Sequence, residues 1–173
     1  MPNHRPEGVA NAFLKKSQKD GTIITQMKLQ KLVYIAHGWM LGLSGKPLVN
    51  QEPEAWERGP VFPQLREHVK NSGSNPIGDL IHENDDSPFA FFSNQSRGAI
   101  ITADLDEYEQ LVIDHVWTRY GQMGPFDLSD LTHQPNTPWS ITFENGVGRN
   151  CPIDNKLIKN HYSQLAQKSA ATT

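Results

Sequence analysis

The chain has 173 residues, a length that suits one hydrophobic core rather than two, so we expect a single domain. Hydrophobic residues make up 36% of the chain and four residues are tryptophans, which is typical of a folded protein and excludes a disordered one. The formal net charge is -3, from 16 basic and 19 acidic residues. Nucleic acid is therefore not expected as a partner, because its binders usually carry a basic patch or stripe.

The first two predicted helices lie in the N-terminal quarter of the chain. Apolar pairs four residues apart predict a helix over about residues 7 to 18, ended by Gly21 in a left-handed conformation. Thr25 is a good N-cap for the second helix, which is predicted to end between residues 42 and 45. Residues 1 to 6 are expected to form a flexible N-terminus.

The second helix has the pattern of an element around which a whole domain packs. Its apolar residues recur at intervals of three and four and form one stripe: Leu29, Leu32, Val33, Ala36, Met40 and Leu43. Ile35, Trp39 and Leu41 add apolar surface outside that stripe, which indicates that the later turns are buried nearly all round. Lys28 and Lys31 are expected to keep the first turns exposed to solvent on one side.

The pattern changes after this helix. Prolines at positions 47, 53 and 60 exclude a continuous helix over residues 46 to 61. Residues 54 to 57 are expected to form a short strand paired with residues 47 to 49. The next helix is predicted over residues 60 to 71, ended by Gly73, because apolar residues recur there every four positions.

Residues 72 to 99 are predicted to be an irregular loop insertion, since Ser, Asn, Asp, Gly and Pro are frequent there and favour turns. The exception is the run Phe89-Ala90-Phe91-Phe92, whose aromatic residues fit either a strand that covers the core or an exposed contact. The acidic run over residues 83 to 86 predicts a solvated loop, which would steer a basic partner if it faces one.

Helical patterns return after residue 103. Asp104 and Glu107 have capping-box spacing, and a helix is predicted from there to Tyr120, with Gly121 as its end. Its expected apolar face consists of Leu105, Tyr108, Leu111, Val112, His115 and Val116. A short helix over residues 125 to 132 is followed by another that begins with Thr137 as N-cap and Pro138 as its first residue.

The last helix is predicted to start at Asp154, and residues 168 to 173 are expected to form a flexible tail. The predicted fold is therefore mainly α. It is a single compact domain over residues 7 to 167, with about seven helices and a short β-ribbon.

The sequence carries no signature of catalysis or of a bound cofactor. None of the seven histidines has metal-ligand spacing, so neither a metal ion nor a cofactor is expected. His37 and His115 lie on apolar helix faces, where hydrogen-bonded core histidines are expected. The single cysteine, Cys151, excludes an internal disulfide and is interpreted as a small apolar residue rather than a catalytic thiol. Phosphate-binding glycine loops and a nucleophile elbow are also missing.

A cytoplasmic location without a membrane partner is expected. Residues 1 to 6 lack the apolar run of a signal peptide. The longest apolar stretch, over residues 32 to 43, is interrupted by His37 and two glycines and falls short of the roughly 20 residues that cross a bilayer.

A series of motifs, in order along the chain, resembles the Panacea domain. The central helix has the pattern M-K-L-Q-K-L-x-Y-x-A-x-G-W over residues 27 to 39. It is followed by Gly45-Lys46-Pro47-Leu48, Glu54-Ala55-Trp56 and Gly59-Pro60-Val61. Later come Leu128-Ser129-Asp130-Leu131-Thr132-His133 and Thr137-Pro138-Trp139. The resemblance covers roughly residues 8 to 165, and the family includes SocA-like antitoxins and phage-associated GepA proteins.

The resemblance implies a protein-binding module without catalysis. Panacea-domain proteins act mostly as antitoxins that neutralise a toxin encoded beside them, and the SocA-like members deliver the toxin to a ClpXP-type protease. We accordingly expect a cognate toxin as partner, with a ClpXP-type protease as a second candidate, and we leave the oligomeric state open. The partner surface is predicted to include Trp56, Arg58, Gly59, Pro60, Val61, Phe91, Phe92, His133 and Trp139.

Two alternatives stay open at this point. A small hydrolase would use His133 with Asp130, because residues three apart can share a helix face and form an acid–base pair. In the structural interpretation of the same residues, Thr132 and His133 bond neighbouring backbone and fix the turn into the next helix. A DNA-binding regulator is the other alternative, since many antitoxins repress their own operon, although the length leaves no room for an added helix-turn-helix.

Overall fold

The structure is a computed structural model that describes residues 3–84 and 97–171. These residues form seven α-helices and two small antiparallel sheets, which confirms the predicted mainly α fold. The helices are α1 (Pro6–Asp20), α2 (Gln26–Ser44), α3 (Pro63–Val69), α4 (Glu107–Tyr120), α5 (Pro125–His133), α6 (Pro138–Phe143) and α7 (Asn155–Ala171). The strands are β1 (Glu54–Trp56), β2 (Gly59–Val61), β3 (His82–Asn84) and β4 (Arg97–Ile100). Within the described ranges, no helix is long and apolar enough to cross a membrane.

Helix α2 is the central element, as its periodicity predicts. Every residue from 28 to 41 is buried, and α1, α4, α5 and α7 all pack against it. The Thr25 hydroxyl accepts a hydrogen bond from the Lys28 amide at the N-terminus, and Gly45 ends the helix in a left-handed conformation with φ 73°. Leu43, expected on the buried stripe, is 49% exposed because the domain covers the last turn on one side only.

Two glycines allow α7 to approach α2 closely. A Cβ atom on Gly42 would lie 2.6 Å from the Cβ of Tyr162 and 2.7 Å from its carbonyl carbon, and one on Gly38 would overlap the Tyr162 ring. The ring instead fills this space and packs edge-on against Trp39, with 5.4 Å between ring centroids. The two glycines therefore leave the space that the Tyr162 side chain occupies. Helix α7 forms the most extensive contact of α2.

The expectation that Lys28 and Lys31 are exposed is wrong, since their exposed fractions are only 4% and 2%. Lys28 donates from Nζ to the Gly121 carbonyl, and Lys31 donates to the Pro60 carbonyl at 3.2 Å. The end of α4 and strand β2 thus cover the side of α2 that looks polar in sequence. The aliphatic stems of lysine make such burial feasible, and a backbone carbonyl receives each ammonium group.

Strand β1 does pair with a neighbour, but the predicted partner is wrong. It pairs with β2, with Trp56 opposite Gly59 and a two-residue turn at Glu57 and Arg58. Residues 60 and 61, expected to begin α3, are thus in the sheet, and α3 starts with Pro63 in its first turn. The segment over residues 47 to 49 instead meets the N-terminus, where Val49 forms a parallel bridge with His4.

The capping box of α4 lies two residues later than predicted. Asp106 accepts a hydrogen bond from the Glu109 amide, and the Glu109 carboxylate accepts one from the Asp106 amide. The Glu109 carboxylate also bonds His4 at 2.8 Å, which ties the start of α4 to the N-terminus. The spacing of acidic residues along the sequence gives no sign of this long-range bond between Glu109 and His4.

The buried face of α4 also differs from the predicted one. Tyr108, Leu111 and His115 are exposed, and the residues that face the core are Val112, Ile113, Val116, Trp117 and Tyr120. The expectation of a core histidine is therefore wrong for His115. It is correct for His37, which is fully buried and bonds Asn155 at 2.9 Å and the Val49 amide at 3.2 Å. Burial lowers the pKa of His37 to about 4, so the ring is neutral.

Part of the predicted irregular insertion is ordered by the core. Strands β3 and β4 pair antiparallel, with His82 opposite Ile100. The buried amide of Asn11 on α1 donates to the carbonyls of Ile81 and Ile101, at 2.9 and 2.7 Å, and its oxygen accepts from the Ile81 amide. The aromatic run over residues 89 to 92 lies outside the described residues.

The remaining helices match the sequence patterns closely. The Thr137 hydroxyl accepts a hydrogen bond from the Ser140 amide and Pro138 occupies the first turn of α6, as predicted. Helix α5 ends at His133, one residue later than expected, and α7 begins directly after Asp154 and includes residues 168 to 171.

Candidate functional site

The predicted partner residues that the structure describes lie around the β1–β2 hairpin. Five of them are on the hairpin itself or its turn: Trp56, Arg58, Gly59, Pro60 and Val61. His133 is the last residue of α5, and Trp139 is in the first turn of α6. The fold thus brings together two motifs that are about 75 residues apart in sequence. Phe91 and Phe92 lie outside the described residues.

Trp139 attaches α6 to the hairpin. Its indole Nε1 donates to the Trp56 carbonyl at 2.7 Å, and its side chain is only 8% exposed overall. The ring contacts His133, with 4.1 Å between centroids, and stacks on Phe143 at 4.6 Å and an interplanar angle of 16°. Trp139 therefore holds α6 and the hairpin together, and it offers little surface to a partner.

The two ring nitrogens of His133 both face backbone carbonyls. Nδ1 donates to the Ser129 carbonyl at 2.6 Å, and Nε2 lies 3.3 Å from the Glu57 carbonyl in the hairpin turn. The neighbouring Thr132 hydroxyl donates to the same Ser129 carbonyl at 2.9 Å. Asp130 is exposed, and the ring nitrogens of His133 meet these carbonyls instead of its carboxylate. The geometry is that of the structural interpretation, in which these residues fix the turn between α5 and α6.

Gly59 allows the hairpin to lie directly on α2. Its φ is +115°, a conformation that residues with a Cβ atom rarely adopt. A Cβ atom there would lie 2.7 Å from the Lys31 Cε and 3.1 Å from the His133 Cε1. The next carbonyl, that of the buried Pro60, accepts from Lys31. Burial lowers the pKa of Lys31 to about 8.

Three supporting residues were not among the predicted site residues. Besides Lys31, these are Gln30, whose amide bonds the Phe62 amide and carbonyl at 2.9 and 3.2 Å, and Ser129, whose hydroxyl donates to the Arg58 carbonyl at 3.2 Å. All three stand inside the two motifs that resemble the Panacea domain. The signal was therefore present in the sequence, but side-chain bonds to a distant backbone cannot be read from spacing.

The exposed part of the site is smaller than the predicted list. Arg58 is exposed, and Trp56, Val61 and His133 are half-buried, whereas Gly59, Pro60 and Trp139 are buried. The Trp56 ring is covered by the Arg66 guanidinium at 4.9 Å, and its Nε1 donates to Glu54 at 2.7 Å. A partner could therefore reach the hairpin turn, but not most of the motif side chains.

Helix α5 adds apolar surface beside the hairpin turn. Phe126 is 74% exposed, and it lies one helical turn before Ser129, the residue that bonds the hairpin at Arg58. Leu131 is 41% exposed on the same helix. We call the surface formed by Arg58 and Phe126, with the half-buried Trp56 and His133, the hairpin–α5 face; Leu131 lies on the other flank of the helix. Exposed apolar side chains around an arginine are typical of protein-binding surfaces.

The arrangement of His133 predicts a structural effect of its removal. His133→Ala is expected to lower the free energy of unfolding by about 1–2 kcal/mol, because it removes the bond to the Ser129 carbonyl and the contact with Trp139. Urea denaturation would measure this change, with the exposed Asp130→Ala as the matched control on the same helix. An unchanged stability for His133→Ala, together with a lost function, would instead favour the hydrolase alternative.

The described residues show no arrangement suited to metal chemistry. Within the ranges 3–84 and 97–171, no group of three or more His, Cys, Asp and Glu side chains is placed to hold a metal ion. Cys151 is exposed, and its carbonyl accepts a hydrogen bond from the Ala55 amide in β1 at 2.9 Å. This part of the chain supports the hairpin from its outer edge.

Comparison with known proteins matches the chain to one family. The model of the family described as "Antitoxin SocA-like, Panacea domain" matches residues 29–140, which include most of α2, the hairpin, α5 and Trp139. Antitoxin SocA of Caulobacter vibrioides (strain NA1000 / CB15N) is 30% identical over 158 residues, covering 89% of this chain and 80% of the relative. No solved structure matches the chain.

Proposed function

The chain belongs to the SocA-like antitoxin family with a Panacea domain, and we propose that it neutralises a protein toxin by binding it directly. The observation that carries the proposal is the identity of 30% with an antitoxin over 89% of the chain, because a match of this extent spans most of the chain and not one motif. The proposed function is not enzymatic. The proposed location of the protein is the cytoplasm, where a single unpaired cysteine stays reduced.

We propose that the toxin binds the hairpin–α5 face. The motif residues beneath it are used inside the molecule: Lys31 and Trp139 donate to backbone carbonyls of the hairpin, and the His133 ring lies against its turn. Those contacts hold the turn in place, so that Arg58 and Phe126 are presented side by side on one surface. In this division, the motif residues maintain the shape of the site and the exposed residues select the partner.

The first experiment is a growth assay with the gene beside this one in its native locus. The neighbour is expected to be toxic when expressed alone and harmless when expressed together with this protein. A harmless neighbour in both cases would overturn the proposal. A pull-down with the two purified proteins then tests direct binding, which a regulator acting only on DNA would not show.

Co-expression of the two proteins also distinguishes sequestration from delivery to a protease when the amount of toxin in the cell is measured. Under sequestration, the amount of toxin in the cell stays the same and neutralisation continues after loss of a ClpXP-type protease. Under delivery, the toxin disappears in the presence of this protein, and both neutralisation and disappearance require the protease. The DNA-binding alternative would show salt-dependent binding to the promoter in a gel-shift assay.

Variants of exposed residues test the position of the interface. Phe126→Asp and Arg58→Glu are each expected to weaken toxin binding by roughly 10- to 100-fold, since central aromatic and arginine side chains dominate interface energies. Both side chains are exposed, so the melting temperature is expected to stay the same. Ile23→Asp is the matched control, because Ile23 is 65% exposed in the turn between α1 and α2. Normal affinity in both variants would place the toxin elsewhere.

A further inference from the structure

Helix α4 presents to solvent part of the face that its sequence pattern predicts to be buried, although Val112 and Val116 of that face do lie in the core. Leu111 is 61% exposed and Tyr108 is 44% exposed, and His115 and Arg119 continue the same face. We define the α4 outer face as Glu107, Tyr108, Leu111, His115, Thr118 and Arg119, all of which are exposed. They lie within an arc of about 120° on the side of the helix opposite the buried residues, given 100° per residue. Tyr108 and Leu111, three residues apart, form an exposed apolar pair within this polar face, and a partner would cover it.

The charges of this face are ordered along the helix. Its N-terminal end carries the carboxylate of Glu107, its middle is formed by Leu111 and His115, and its C-terminal end carries the guanidinium of Arg119. The guanidinium lies 5.5 Å from the Trp39 ring and 5.3 Å from the Tyr120 ring, which keeps it at the end of the face. One end is thus acidic, the other is basic, and the centre holds the Leu111 side chain beside the imidazole of His115, while the carboxylate of Asp114 at the edge of the face pairs with Lys16 of α1.

A surface with this order is complementary to itself when turned around. In an antiparallel pair of α4 helices centred near residue 113, Glu107 meets Arg119 of the second copy, and Leu111 meets His115 of the second copy. Each contact occurs twice, as a two-fold interface requires. Residues 107, 111, 115 and 119 also form a ridge of the i±4 type, and two such ridges interlock when helices cross at about 50°.

We propose that the α4 outer face is the dimer interface of this protein, occupied by α4 of a second copy in antiparallel orientation. The charge order selects this occupant, because a different partner would need an independent surface with the reverse order of charges. The proposal does not depend on the antitoxin function. It leaves the hairpin–α5 face free on each protomer, since none of its residues belongs to α4.

Sedimentation velocity and light scattering of the full chain test the proposal. A contact on one helix is small for a dimer, so we expect association in the range of about 1–100 µM and a mass that rises with concentration. A monomer up to about 500 µM would overturn the proposal, because no association of this strength would remain undetected there.

Variants locate the interface. Leu111→Glu is expected to weaken association at least tenfold, whereas Ile23→Glu, a matched exposed position with a 65% exposed side chain, is expected to leave it unchanged. Arg119→Glu is expected to weaken the dimer, and the double variant Glu107→Arg with Arg119→Glu to restore it, because the swap reverses both charges of each pair. Circular dichroism and melting temperature confirm that each variant folds, and Leu111→Ser replaces Leu111→Glu if that variant does not.

Two results would overturn the assignment to α4. The first is a dimer that persists at unchanged strength in folded Leu111→Glu or Leu111→Ser, which would place the interface elsewhere. The second is a charge swap that fails to restore association, which would exclude the antiparallel register. Association that is lost with Leu111→Glu and restored by the swap supports both the face and the register.

Discussion

Gly42→Val is expected to lower the free energy of unfolding by about 4 kcal/mol or more, a large part of the stability of a typical domain. The reason is that even a Cβ atom on Gly42 would lie 2.6 Å from the Tyr162 Cβ and 2.7 Å from its carbonyl carbon. Backbone and Cβ atoms cannot move away by changing rotamer. The valine side chain is therefore expected to push α7 away from α2, which exposes part of the apolar surface between the two helices.

Thermal and urea denaturation of the purified variant measure this effect. Gly78→Val is the matched control, because Gly78 is exposed and a Cβ atom there would meet nothing within 4 Å. Gly38→Ala is expected to cost less than Gly42→Val, since its added atom meets the Tyr162 ring, the movable part of that side chain. A stability of Gly42→Val equal to that of Gly78→Val would show that α7 does not pack on α2 in this way.

Lys31→Met is expected to remove a pH dependence of stability that the wild-type protein shows between pH 8 and 10.5. Burial lowers the pKa of Lys31 to about 8 from 10.5, because the ammonium group is withdrawn from water. Between these two values the unfolded chain binds more protons than the folded one, so stability rises with pH. The full difference is about 3 kcal/mol, and the cost of the buried charge is fully present below pH 8.

The variant is expected to be about as stable as the wild type at pH 7. Methionine removes the cost of the buried charge, but it also leaves the Pro60 carbonyl without its donor, and the two effects oppose each other. Above pH 8 the wild type gains stability and the variant does not. The difference between the two proteins therefore reports on Lys31 alone.

Urea denaturation at a series of pH values from about 7 to 9.5 measures this difference, below the ionisation of tyrosine in unfolded chains. Burial raises the pKa values of Tyr34 and Tyr162, but both proteins contain these phenols and their contribution cancels. Lys15→Met, at an exposed position on α1, serves as the control and is expected to keep the wild-type profile. Parallel profiles for wild type and Lys31→Met would contradict the burial of this ammonium group.

Variants of buried residues test what maintains the fold, whereas variants of exposed residues test what selects the partner. Gly42, Lys31 and Trp139 act inside the molecule, and their replacement is expected to lower stability or alter its pH dependence. Arg58 and Phe126 are exposed, and their replacement is expected to change binding while stability stays the same. A loss of toxin neutralisation in a variant therefore has a clear interpretation only when its stability has been measured as well.

The helical segments, several of their ends and the family could be predicted from sequence patterns alone. Thr25 and Thr137 cap helices as predicted, and Gly21 and Gly45 end helices in left-handed conformations. Such signals act over a few residues, so the chain carries them whatever surrounds it. The motif series also identified the Panacea family, because several motifs in order are more specific than any one of them.

Which surfaces are covered follows from the packing of distant segments and could not be predicted from local patterns. Lys28 and Lys31 look like solvent-facing residues until α4 and β2 are placed over them. The partner of β1 depends on a turn at residues 57 and 58, and strand pairing is not specified by the strand alone. Helix α4 has apolar residues on two sides, and packing against α1 and α2 selects Ile113 and Val116 for the core and leaves Leu111 in solvent. The physical reason is common to all three cases: burial depends on residues distant in sequence, whereas caps and periodicity are local.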